Sequence, residues 1–194
     1  MKRFLLGLLA MPLIAGCGVR SIPMSRNAVD ASLAEVTNQY KRRADLVPNL
    51  VEVVKGYAKH ENQTLTGVTE ARAKATAISI DPSKASPEQL AAYSQAQGQL
   101  SQALGPLLAV SENYPNLKAD ANFRDLQAQL EGTENRITVA RNRYIGSIND
   151  FNNQVSVFPT NLTNGLFYHY SKLPQWDLSA DEKKAIEKAP EVKF

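Results

Sequence analysis

Cysteine is almost missing from this sequence: its 194 residues contain one, at position 17. An internal disulfide is thereby excluded, and so is a zinc site built on cysteine clusters. Histidine is scarce too. The two present, His60 and His169, stand more than a hundred residues apart, and neither opens an H-x-x-x-H or H-E-x-x-H frame, so no metal and no cofactor is expected. The ten glycines are scattered and build no phosphate cradle, and no G-x-S-x-G elbow or cysteine with a helper histidine is present. Excess charge is lacking as well. With 22 basic and 19 acidic residues the formal charge is +3, too little of one sign for a phosphate-neutralising surface, so nucleic acid is not an expected partner. What remains is a chain of single-domain length, able to build a core without staples.

The only strongly apolar run spans Phe4 to Ala15 behind Lys2 and Arg3. It falls short of the roughly 20 residues that cross about 30 Å of hydrocarbon, and it has the layout of an export signal. Its end, Leu13-Ile14-Ala15-Gly16-Cys17, resembles the lipobox of bacterial lipoproteins. That resemblance implies cleavage between Gly16 and Cys17, diacylglycerol on the Cys17 thiol, and an anchor in the cell envelope facing the periplasm. Gly18, where an aspartate would favour the inner membrane, favours the outer one. Residues 1–16 are therefore read as signal peptide and 17–26 as a lipidated tether. Loss of Lys2 and Arg3 leaves 20 basic and 19 acidic side chains, so the apparent basicity belongs mostly to the signal.

From Leu33 onward, apolar residues fall on a heptad: Leu33, Tyr40, Val47, Val54, Val68 and Ala75, with Val36, Leu50, Tyr57, Ala71 and Ile78 beside them. This is the seam of a long amphipathic helix. Pro48 interrupts it, and Asp45 is placed to cap a second segment with Pro48 in its first turn, so two nearly collinear helices or one kinked helix are expected. A second segment starts at Ser86-Pro87-Glu88 with Tyr93, Leu100, Leu107 and Tyr114, bends at Gly105-Pro106 and stops at Pro115. A third starts near Asp120 and carries Phe123, Leu130, Ile137, Tyr144, Phe151 and Phe158 at intervals of seven. The expected fold is all-α, a long antiparallel bundle of three to four helices over 27–166. Residues 167–194 form an extension in which Ser179-Ala180-Asp181-Glu182 starts a short helix ending before Pro190. The aromatic group Phe167, Tyr168, Tyr170 and Trp176 is expected to pack on the bundle end, with a membrane-surface role as the alternative.

Charges on or beside these stripes are the informative polar residues: Arg43, Glu61, Glu134 and Arg141. A seam charge is costly unless paired, so inter-helix ion pairs that fix register are the expectation, with a ligand or proton-handling site as the alternative. Adjacent residues on a helix point about 100° apart, which argues against His60-Glu61 as an acid/base pair. Asn135, Asn142 and Asn149 repeat at intervals of seven and form a polar ridge for solvent or a partner.

Several blocks resemble the LemA family: Lys41-Arg42-Arg43-Ala44-Asp45-Leu46-Val47-Pro48-Asn49-Leu50-Val51, then Val54-Lys55-Gly56-Tyr57-Ala58 and His60-Glu61; Tyr114-Pro115-Asn116-Leu117-Lys118-Ala119 with Asn122-Phe123; and Leu130-Glu131, Thr133-Glu134-Asn135-Arg136-Ile137, Ala140-Arg141 and Tyr144. The resemblance runs from about Val29 to Leu166. Ile145 departs from it where the family often has asparagine, whereas Asn152 after Phe151 keeps the later aromatic-Asn position. The resemblance implies a helical-bundle envelope protein without established enzymatic activity, and here Cys17 stands in for the family's usual membrane helix. An interaction or scaffold role with an envelope protein partner is the expectation. The alternatives are an accessory subunit of a membrane protease or transport complex, a hydrolase using Glu61, Glu134 or Arg141, and self-association through the seams.

Overall fold

Pro48 lies inside a helix and not at the start of one. In the computed structural model, which describes residues 18–176, the first helix, α1, runs unbroken over Ser21–Tyr57, and Asp45 caps nothing. A prolyl nitrogen cannot donate to the carbonyl four residues earlier, here Ala44, and its ring crowds that carbonyl. Ala44 is only 1% exposed, so water cannot replace the missing donor. Arg72 replaces it, its Nε donating to the Ala44 carbonyl oxygen at 2.8 Å.

The same bond corrects the expected direction of the chain. In one near-straight rod Ala44 and Arg72 would stand about 42 Å apart at 1.5 Å per residue. Instead the chain turns at residues 58–61, where the Glu61 N–H donates to the Ala58 carbonyl, and α2 (Asn62–Ala77) returns along α1. The heptad survives the turn because both helices feed one core, Val47, Leu50 and Val54 from α1 meeting Leu65, Val68 and Ala75 from α2. A double-mutant cycle follows. Arg72→Ala should cost about 1–3 kcal/mol by orphaning a buried carbonyl, and clearly less in a Pro48→Ala background, where the helix supplies its own donor; denaturant titration of the four proteins measures the difference.

Helix α3 (Pro87–Asn113) starts as the sequence predicts. Ser86 Oγ accepts the Gln89 N–H at 3.2 Å while Gln89 Oε1 accepts the Ser86 N–H at 3.0 Å, with Pro87 in the first turn. Pro115 ends it and opens the short α4 (Pro115–Ala119). Asp120 then caps α5 (Ala121–Ser156), its Oδ1 accepting the Phe123 N–H at 2.9 Å. That amide, aided by the Tyr57 hydroxyl, holds the Asp120 carboxyl below its ordinary value. Helix α6 (Thr160–Thr163) and a π-helical turn, Asn164–Tyr168, follow. No strand occurs among the described residues, and the class is all-α.

The described chain divides into two compact units, 36–139 and 18–35 with 140–176. In the first, Tyr40 meets Tyr93 and Arg43 meets Gln97, so α1 and α3 run parallel. Arg43 meets Glu134 and Tyr57 meets Asp120, so α5 runs antiparallel to α1. With α2 returning, this is an up-down-up-down bundle of four helices, closed by Leu100, Leu107, Leu117 and Phe123.

In the second unit, Ile22, Val29 and Leu33 of α1 and Tyr144, Ile148 and Phe151 of α5 are buried. Ser21 Oγ donates to Gln154 Oε1 at 2.9 Å. Residues 21–26, read above as part of a tether, are thus helix, because Ile22 continues the 3-4 row of Val29, Leu33 and Val36. Phe158 departs in the other direction: α5 stops at Ser156, and the last residue of the heptad row is 69% exposed. Gly16, Cys17 and the expected helix at 179–189 lie outside the described residues. No described helix is long and apolar enough to cross a membrane.

Candidate functional site

Arg43 occupies a seam position of α1 where the 3-4 spacing calls for an apolar residue, and it is only 2% exposed. Such a cation must be surrounded by acceptors, since an isolated buried charge is costly. Two helices supply them, and a third is reached through one of the acceptors. Nη1 donates to Glu134 Oε1 of α5 at 2.9 Å. Nη2 donates at 2.8 Å to both the carbonyl and the side-chain oxygen of Gln97 on α3. Gln97 Nε2 in turn donates to the Ala75 carbonyl of α2 at 3.2 Å. One guanidinium therefore ties four helices together at a single level.

The aromatic side of this node is equally ordered. The guanidinium carbon lies 5.1 Å from the Tyr40 ring centroid, a cation–π distance, and Tyr40 meets Tyr93 edge-on at 5.6 Å. Burial pushes the Tyr93 phenol up to about 12, with Tyr40 adding to the shift and Arg43 opposing it. The sign of the resulting pH dependence is fixed. A phenol whose affinity for its proton is raised by folding contributes fully below the unfolded value near 10, and that contribution is lost as pH climbs toward 12. Wild-type protein should lose on the order of 1–2 kcal/mol more than Tyr93→Phe between about pH 9 and 12, read from denaturant midpoints across that range.

Gln97 was not singled out from the sequence, yet its position carried a signal. It falls on the apolar 3-4 row Tyr93, Gln97, Leu100, Leu104, Leu107, and all five are buried. A polar seam residue on one helix is the natural answer to a charged one on another. Glu134 remains 39% exposed because Thr133 takes the inward position beside it, so the pair is sealed on the arginine side alone.

Glu61 lies in the turn before α2 and accepts a long 3.5 Å bond from the Tyr114 hydroxyl, joining two of the blocks that carry the resemblance. Nearby, the Tyr57 hydroxyl donates to Asp120 Oδ2 at 2.9 Å, and that hydrogen bond together with the carboxylate's charge raises the phenol above its ordinary value. His60 is exposed. Among the described residues no group of three His, Cys, Asp or Glu side chains is placed to hold a metal ion.

Arg141 and Asn152 lie in the other unit, beside a strap formed by residues 169–176. Asn152 clamps it in both directions, Nδ2 donating to the Leu173 carbonyl at 2.9 Å and Oδ1 accepting the Leu173 N–H at 2.8 Å. This reproduces the two bonds of a strand pair with one side chain. Phe151 meets Tyr170 edge-on at 5.7 Å, Gln175 donates to Asn149, and Trp176 meets Tyr144 edge-on at 5.4 Å while the Arg141 guanidinium lies 5.7 Å from its ring. Rising strap numbers pair with falling α5 numbers, so the strap runs back antiparallel to the helix. The Asn ridge is thereby split: Asn149 serves the strap, whereas Asn135 and Asn142 are exposed.

The family model described as LemA family matches residues 32–194, past Leu166 and through the strap. The Protein LemA of Metamycoplasma hominis is 25% identical over 164 residues, an alignment covering 81% of this chain and 71% of that protein.

Proposed function

The chain belongs to the LemA family, and from that premise we propose that it is a non-enzymatic, lipid-anchored scaffold of the bacterial cell envelope, facing the periplasm. The observation that carries this reading is how the polar residues offered for chemistry are used. Arg43 and Glu134 hold helix to helix with Gln97, Glu61 meets Tyr114, Arg141 lies over the Trp176 ring, and Asn152 holds the strap. A hydrolase would need at least one such group directed at a substrate, and each of these is directed at another part of the chain. Asn135 and Asn142, exposed on α5, are the polar positions left for a protein partner of the envelope.

Anchoring rests on Cys17 in its lipobox setting. Each buried methylene contributes about 0.8 kcal/mol, so two or more acyl chains hold stably where a single one is marginal. Gly18 after Cys17 favours the outer membrane. Replacing Cys17 with serine should move the protein from alkaline-washed membranes to the soluble fraction. A Cys17→Ser protein that stays acylated and membrane-bound would overturn the anchoring mechanism.

A further inference from the structure

Six of the ten large apolar side chains that the described residues leave exposed fall within 14 residues of one another, between Val157 and Tyr170. Phe158, Leu162, Leu166 and Phe167 are 53–73% exposed. Leu162, Leu166 and Phe167 lie on, and Phe158 just before, a short helical stretch whose inward face, Thr163 and Asn164, is buried. Asn164 fixes that stretch, its Nδ2 donating to the Tyr170 carbonyl at 3.0 Å while its Oδ1 accepts the Tyr170 N–H at 3.0 Å. The outward apolar residues are therefore presented on an ordered surface, and a soluble protein rarely leaves such a group uncovered.

The chain's own path leads toward its N-terminal end at this stretch. The first described residue, Gly18, is buried against Thr163: a Cβ at position 18 would fall 2.7 Å from Thr163 Cβ, so only glycine fits this approach. The next residue, Val19, is itself exposed, and its carbonyl accepts the Tyr168 hydroxyl. In the sequence Cys17 immediately precedes Gly18. The residue that carries the lipid in the reading above is thus the covalent neighbour of Gly18, which itself lies against Thr163 of this stretch. No Asp, Glu, Lys or Arg occurs from Phe151 to Ser171; Asp150 and Lys172 bound this run, Arg20 follows Val19, and all three are exposed.

We propose that Val19, Phe158, Leu162, Leu166 and Phe167 form a membrane-contact surface that enters the headgroup and upper acyl region of the bilayer holding the Cys17 lipid, with Arg20 and Lys172 meeting anionic headgroups. The proposal rests on the anchoring reading and adds to it that the protein stands on the membrane through this end and is not held off by a tether. Apolar side chains at the interface add binding area, and basic residues near an anionic surface add attraction that falls off with salt. The aromatic group is sorted accordingly: Tyr170 and Trp176 turn back onto α5, whereas Phe167 faces out.

The test uses the full acylated protein with Leu166→Cys carrying an environment-sensitive fluorophore, the Cys17 thiol being already occupied by lipid. It is reconstituted on vesicles of phosphatidylethanolamine and phosphatidylglycerol, and a Ser83→Cys label serves as the solvent-exposed control. Co-flotation with blue-shifted emission at position 166, quenched by bromine on the acyl chains and absent at position 83, is the expected result. Co-flotation with water-like emission at 166 overturns the contact surface and leaves the anchor standing. Blue-shifted emission that bromine does not quench places a second copy or residues 177–194 over the surface, and also overturns it. Failure of the acylated protein to float overturns the anchor and this proposal together.

Discussion

Arg43→Ala should destabilise the protein by roughly 3–5 kcal/mol, which for a chain of this length lowers the thermal midpoint by about 10 °C. Most of that loss comes from what stays behind. Removing the guanidinium leaves the Gln97 side-chain oxygen without its donor in a buried setting and leaves Glu134 with no cation. It also opens a cavity at a position only 2% exposed. Arg43→Met should recover much of the loss, because it refills the volume and Glu134, 39% exposed, can turn to water. Glu134→Ala should fall between the two, since the buried guanidinium keeps its Gln97 acceptors. The order Ala at 43, then Ala at 134, then Met at 43 separates a register-fixing tie from a reactive group. A reactive group would be lost equally with Met and with Ala and would leave stability intact. Thermal and denaturant unfolding of the three variants reads this order.

Phe151→Ala is the second large effect, about 3–5 kcal/mol for a fully buried phenylalanine. Phe151 is 1% exposed, packs edge-on to Tyr170 and lies under the Arg26 guanidinium at 5.9 Å. Its loss removes the platform on which the strap turns back along α5. Hydrogen exchange should accelerate across 18–35 and 140–176, and the Trp176 emission should shift toward that of an indole in water. Residues 36–139 should keep most of their protection, because Leu100, Leu107, Phe123 and the Arg43 node are packed within that unit. Uniform acceleration over the whole chain would show the two units to be one cooperative body.

What could be read from the sequence was local. The rows through Leu33, Tyr40 and Val47, through Tyr93, Leu100 and Leu107, and through Phe123, Leu130 and Ile137 are buried as their spacing requires. Ser86 and Asp120 cap the helices they precede. What could not be read was long-range. A 3-4 repeat records which face is apolar and not which way the chain travels, so the turn at 58–61 was invisible while the register ran on. Pro48 looked like a helix start because its lost hydrogen bond is replaced by Arg72, on a different helix. Arg43 and Glu134 were visible as seam charges, but Gln97 became a partner only once α3 lay parallel to α1. Asn152 stood out by position alone, and its role required a strap with no periodicity to announce it.

We propose that this LemA family chain works by holding a protein partner at the envelope surface, with its internal polar network serving the fold. A photo-crosslinking residue placed in turn at Asn135 and Asn142 in living cells tests it most directly. The expected result is a reproducible adduct with one envelope protein, present in the wild-type setting and lost in the Cys17→Ser background where the chain leaves the membrane. Absence of any adduct from either position, with the acylated protein folded and at its normal level, would contradict it.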